Sequence, residues 1–311
     1  MQVYGCRFAV DTRPVCMWAI DLPAENLRAI QQLDPMYFRY LADSHHGGLG
    51  GAEKHRAALA LRSAYSHALE TFFAVLCAAI QAPECVGGWL LRYRLEDLRA
   101  MVGKIRGGRP IYSRLLMESS FESAAEAIHS FVKPPRATIV PLFGELWLRF
   151  AGEFLDDLAA LEYNSLKHGF RVGAGGCALS AGIETTPGVA APPEAMQLVG
   201  GSEYGSSFST AAATNVKAHW RLERTTRNWN PLDCFAGLYL LSISLANVQA
   251  FLRIVNGDRE TQTFRWPEDD GAFEAPWLHS PDLVHAGINY RVSDEAIRPF
   301  SPAEILSVYD R

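Results

Sequence analysis

Little in this sequence announces a chemistry. Its 311 residues hold no P-loop, no G-x-G-x-x-G that opens a helix and no H-E-x-x-H. ATP hydrolysis, dinucleotide chemistry and zincin-type hydrolysis therefore lack their usual anchors. Gly200-Gly201-Ser202-Glu203-Tyr204-Gly205 misses the G-x-S-x-G nucleophile elbow by one position. Positive charge is not in excess. The formal net charge is -5, which gives no global attraction to nucleic acid or to an anionic membrane, so a polyanion partner needs a local basic patch. The cysteines (Cys6, Cys16, Cys77, Cys85, Cys177 and Cys234) show no C-x-x-C spacing. Cys77 and Cys234 fall in apolar helical stretches, where a thiol serves as a small core residue. The N-terminus lacks the basic start and apolar run of a secretory signal. The most apolar segment, Cys234 to Ala246, is shorter than the roughly 20 residues a membrane span requires. These absences give the expectation of a soluble protein of the reducing cytoplasm with no membrane partner.

What is present is core-forming material. Hydrophobic residues make up 49% of the chain and charged residues 20%, enough apolar surface to order the whole. Apolar residues recur at helical spacing over 53–81, through Leu61, Ala64, Ala68, Phe72, Leu76 and Ile80. Pro83 ends that helix. A shorter helix is expected around 91–102, and another from Ser119, with Glu122 completing a capping box. A single long helix is expected over 144–168, closing on Lys167, His168 and Gly169. The last long helix starts at Asn230-Pro231 and stops at Asn256-Gly257.

The pattern predicts a mainly α fold, an antiparallel helical bundle with a small β-containing insert. Residues 1–52 form an N-terminal segment of short helices ending in a glycine-rich hinge. Residues 53–257 form the bundle, with the Gly/Ser/Thr/Ala-rich insert at 171–229. Residues 258–311 form a loop-rich tail over the bundle, with one short capped helix starting at Ser301-Pro302.

The leading chemical candidate is Arg62-Ser63-Ala64-Tyr65-Ser66-His67 on the first long helix. Arginine offers a permanent cation and a donor fork for phosphate, and histidine moves a proton near neutral pH. Together they supply what metal-free RNA cleavage requires: deprotonation of the 2′-hydroxyl and stabilisation of the phosphorane. The motif resembles the R-x(4–6)-H signature of the HEPN superfamily, helical bundles that include many RNases of toxin and defence systems. The resemblance implies a homodimer with a composite cleft, Arg62 holding phosphate and His67 transferring a proton, without metal or cofactor. Five helical positions set Arg62 and His67 about 140° apart, so they flank a cleft and do not share a stripe. The alternative is a non-catalytic helical binding or assembly module.

Further candidates are substrate-binding. Asn164, Lys167 and His168 fall within about one helical turn. Arg221, Arg224 and Arg227, between Trp220 and Trp229, form a local basic patch able to grip RNA by charge and stacking. Lys104, Arg106, Arg109 and Arg114 form another, with Tyr112. Asp43, His45, His46, Glu53 and His55 lie close in sequence, and Glu126 and His129 form one E-x-x-H pair. A di-iron bundle requires two such pairs, so no metal is expected and these read as surface residues.

Overall fold

The computed structural model describes residues 3–116, 118–168, 171–213, 220–258, 262–292 and 300–309. The fold is mixed α/β, 52% helical and 16% strand, with eight strands in three separate antiparallel sheets among the described residues. This corrects the expected mainly α bundle. The chain forms two compact units: Met1–Tyr163 with Pro231–His279, and Asn164–Asn230 with Ser280–Arg311.

The first unit opens with a hairpin, β1 (Tyr4–Val10) and β2 (Arg13–Ala19), paired from Tyr4↔Ala19 to Val10↔Arg13. Asp11 takes the left-handed conformation that a tight turn requires, at φ 52°. Alternation sends Cys6, Phe8 and Val10 into the core. Helices α1 (Leu22–Gln31) and α2 (Tyr37–His46) follow, and the expected glycine hinge is a 3₁₀ turn over Gly47–Gly50. Then come α3 (Lys54–Gln81), α4 (Val86–Leu90), α5 (Leu95–Arg106), α6 (Phe121–Ile128) and α7 (Val140–Phe154). Ser120, one residue after the expected cap, accepts the Ser123 amide at 3.0 Å.

The expected helix over 144–168 is two helices, α7 and α8 (Asp157–Lys167). No proline or glycine marks the break. Arg99 donates to the Phe154 and Leu155 carbonyls at 2.7 and 2.8 Å. Asp156 accepts the Ala159 amide at 2.9 Å and caps the new helix.

Helix α9 (Pro231–Val255) pairs with α3 at the centre of the unit. Leu61, Phe72, Leu76 and Ile80 of α3 and Leu238, Leu241 and Val248 of α9 are fully buried. Gly237 permits close packing on α3, since a Cβ there would collide with the Tyr65 ring. Both helices are long and apolar enough to cross a membrane, yet 72% and 78% of their most apolar windows are buried inside the protein. That is the signature of core helices. The expectation that the apolar segment is too short for a span is thus corrected in length.

The second unit is where strand content was underestimated. A four-stranded antiparallel sheet runs β3-β6-β7-β8, from β3 (Val172–Ala174), β6 (Gly205–Ala213), β7 (Trp220–Asn228) and β8 (His285–Val292). A two-stranded sheet pairs β4 (Ala178–Ala181) with β5 (Gln197–Gly201). The stretch expected to be a loop-rich tail therefore supplies a full strand, which adds to β7 in continuous register. Buried Asn228 ties the unit together, accepting the Cys177 amide and donating to the Cys177 and Leu283 carbonyls, each at 2.8 Å. The last helix, α10 (Pro302–Tyr309), has the expected capping box: Ser301 and Glu304 exchange bonds of 2.8 and 3.3 Å.

Candidate functional site

Arg62 lies in the interior, 5% exposed, and donates through Nε and Nη2 to Glu162 Oε2 at 3.2 and 2.8 Å. Glu162 is 0% exposed. Burial alone weakens the hold of Arg62 on its proton. The carboxylate of Glu162, with Cys234 and Glu153 adding, more than reverses this, and the guanidinium is charged. Beside it Tyr65 donates to Glu153 at 3.0 Å, and Trp277 donates to the other Glu153 oxygen at 2.6 Å. Burial pushes the Cys234 thiol up to about 12. Arg62 is thus the positive member of a buried polar network that joins α3, α7, α8 and the segment after α9.

His67, five residues on, is exposed and set edge-on against Phe38 at 5.2 Å. The pair the motif requires to act together is split between core and surface, and does not flank one cleft. The expectation that Arg62 reaches a substrate phosphate is corrected by its partner: displacing Glu162 would strand a buried carboxylate, at several kcal/mol.

Asn164, Lys167 and His168 are all exposed at the end of α8, and Arg171 donates to the His168 carbonyl at 3.1 Å. They belong to the second unit, Arg62 and His67 to the first. Of the three β7 arginines, Arg224 is exposed and Arg227 is buried, so odd spacing on the strand sends them to opposite sides. They do not form one grip. Arg221 sits in register with Ala212 and Arg291, and its side chain lies outside the described residues, as does His219. Trp229 is buried. In the other basic patch, Lys104 is paired with Asp11 and Arg114 with Glu84. No group of three His, Cys, Asp or Glu among the described residues is placed to hold a metal.

His129 is a second residue whose place the sequence did not reveal. Expected on the surface, it is 4% exposed, whereas Glu126 is exposed. Its ring packs against Phe143, Trp147, Phe264 and Trp266, with centroids 4.8 to 6.1 Å away. Its Nδ1 bonds the Ala125 carbonyl at 2.8 Å, and its Nε2 meets Asn247 Nδ2 at 3.0 Å. Asn247 is buried on α9, accepting the Arg265 amide at 2.7 Å and donating to the Arg265 carbonyl at 2.9 Å. The Arg265 backbone therefore fixes which end of the Asn247 amide faces the histidine. A carbonyl only accepts and an amide NH2 only donates, so Nδ1 carries the proton and Nε2 is bare. Burial, partly offset by the Ala125 bond, lowers the His129 pKa to about 4.

This clamp holds residues 264–266 as one wall of an open pocket. The cavity, about 630 Å3, is walled by Phe131, Phe264 and Trp266, with Lys133 and Arg136 at its edge and Gln262 and Thr263 as polar neighbours. The Arg136 guanidinium lies 4.9 Å from the Trp266 ring centre. None of the lining residues among those described is acidic. The sequence signal was the basic and aromatic content of two distant stretches, Phe131–Arg136 and Phe264–Trp266, which only the fold brings together.

Comparison with protein-family models, with known proteins and with solved structures returns no match, so the HEPN resemblance gains no support from relatives.

Proposed function

We propose that this chain is a non-catalytic binding protein whose ligand is an anionic aromatic group: a nucleotide, free or exposed in single-stranded RNA. The observation that carries this reading is the Phe131–Arg136–Trp266 pocket. In a chain of net charge -5, its described lining combines three aromatic rings with two cations and no carboxylate. Its volume of about 630 Å3 lies within the ordinary range for small-molecule sites. Stacking of a base on an aromatic ring contributes about 1–3 kcal/mol. Arg136 supplies the planar fork and Lys133 the point charge that suit a phosphate. Metal-independent cleavage by Arg62 and His67 is not part of this reading, because Arg62 belongs to the buried network with Glu162. The composite site that suggested a homodimer then has no guanidinium to contribute.

Isothermal titration with AMP, GMP, inorganic phosphate and an oligouridylate tests the proposal. Nucleotides bind and phosphate alone does not. Phe131→Ala and Arg136→Ala, both at exposed positions, each weaken binding at least tenfold. Tighter binding of the oligomer than of the mononucleotide identifies RNA as the source. Failure of both nucleotide and oligomer to bind overturns the reading.

A further inference from the structure

Three sulfur atoms, none of them in the ligand pocket, converge beneath the N-terminal hairpin. Cys6 on β1 stands directly opposite Met17 on β2. Cys85, the residue before α4, brings its Sγ to 3.8 Å from Met17 Sδ. The Cys6 and Cys85 thiols are both buried and close enough for each to act on the ionisation of the other. Gly88 makes room for this meeting: a Cβ there would lie 2.2 Å from Met17 Sδ and 2.6 Å from Cys85 Sγ. Arg114 stands beside the group, its Nη1 3.7 Å from Cys6 Sγ, while also pairing with Glu84 at 2.8 Å.

The geometry points to a cuprous-ion site formed by Cys6, Cys85 and Met17. Two thiols and a thioether are soft donors, and soft donors select Cu(I). Zinc prefers four ligands in a tetrahedron and finds three sulfurs here, one of them a thioether. Metal–sulfur bonds of about 2.3 Å in a trigonal plane place sulfurs about 4 Å apart. The 3.8 Å between Cys85 and Met17 meets that spacing. Binding breaks two S–H bonds and forms two thiolate–copper bonds and one thioether–copper bond. Two protons pass to solvent and no electron is transferred. The occupied site carries one net negative charge, which the Arg114 guanidinium faces. Because uptake releases two protons, it strengthens as pH rises.

The test titrates the full-length reduced chain with Cu(I), anaerobically, against a chromophoric chelator. The wild type takes up one equivalent, and X-ray absorption shows an all-sulfur shell. Cys6→Ser and Cys85→Ser lose that equivalent, and Met17→Leu, which keeps the apolar volume, weakens it at least tenfold. Cys16→Ser, an exposed thiol on the opposite side of β2, binds as the wild type does. Circular dichroism of the metal-free variants separates lost ligation from lost folding. The proposal is overturned if the folded wild type takes up no copper, if folded Met17→Leu and Cys85→Ser bind unchanged, or if the purified chain carries a Cys6–Cys85 disulfide in place of the metal.

Discussion

Acidification is expected to lower stability through His129 from about pH 6.5 downward, before the bulk of the carboxylates titrate. The ring is held neutral between an acceptor at Nδ1 and a donor at Nε2. A proton added to Nε2 would face the NH2 of Asn247, itself oriented by Arg265, with nothing there to accept it. The folded pKa, about 4, lies below the ordinary 6.5. The unfolded chain therefore binds this proton first. The stability contributed by the neutral ring is complete above pH 6.5 and declines as pH falls from 6.5 to 4. The displacement corresponds to a loss of about 3 kcal/mol across that window. Urea unfolding at half-unit pH intervals, followed by tryptophan fluorescence, measures it. Trp147 and Trp266 flank the ring and report its loosening directly. The control is His129→Gln, which cannot titrate in this range, so carboxylate contributions common to both proteins cancel. Wild type is expected to lose about 3 kcal/mol more than His129→Gln between pH 7 and pH 4. Parallel pH profiles, or an NMR titration of the His129 ring with a midpoint near 6.5, would refute the reasoning.

Three other outcomes follow from the first unit. Glu162→Gln or Arg62→Met alone is expected to cost about 3–5 kcal/mol in urea unfolding, and the double substitution Arg62→Met/Glu162→Leu to restore much of it, because a buried charge without its partner costs more than the pair. Gly237→Ala drives a methyl into the Tyr65 ring and is expected to lower stability by about 1–3 kcal/mol by the same assay. His67→Ala, on the exposed side of α3, is expected to leave stability within about 0.5 kcal/mol and to leave any RNA turnover unchanged. A fall in cleavage on that substitution would restore His67 to a chemical role.

Helix positions were legible wherever one face is apolar for many turns. The spacing from Leu61 to Ile80 locates α3, and Pro231 and Gly257 bracket α9, the glycine standing at φ 94°. Strands were poorly legible because their alternation is short and their residues small. Ser206, Ser207 and Ala211 carry little β propensity, and β6 is fixed by its neighbours β3 and β7, with β8 joining from far along the chain only through β7. The α7–α8 break was hard to see because an arginine from α5 holds the last carbonyls of the first helix, a tertiary contact, and its one local mark is the capping Asp156. The site was legible least. Arg62 looks like a surface cation until Glu162, 100 residues on, is seen to meet it. His129 looks like half of a metal pair until Asn247 and the rings around it show an imidazole serving as a fastener.

The first unit is assembled from two stretches of chain, and its two central helices are made far apart in time. About 150 residues separate the end of α3 from the start of α9. At roughly 5–20 residues per second, a ribosome takes about 8–30 s to bridge that interval. Throughout it, an apolar rod of 28 residues waits without the surface it will embrace. Nascent chains of this protein should therefore be clients of holding chaperones, and codon changes that slow translation between the two helices should raise the insoluble fraction.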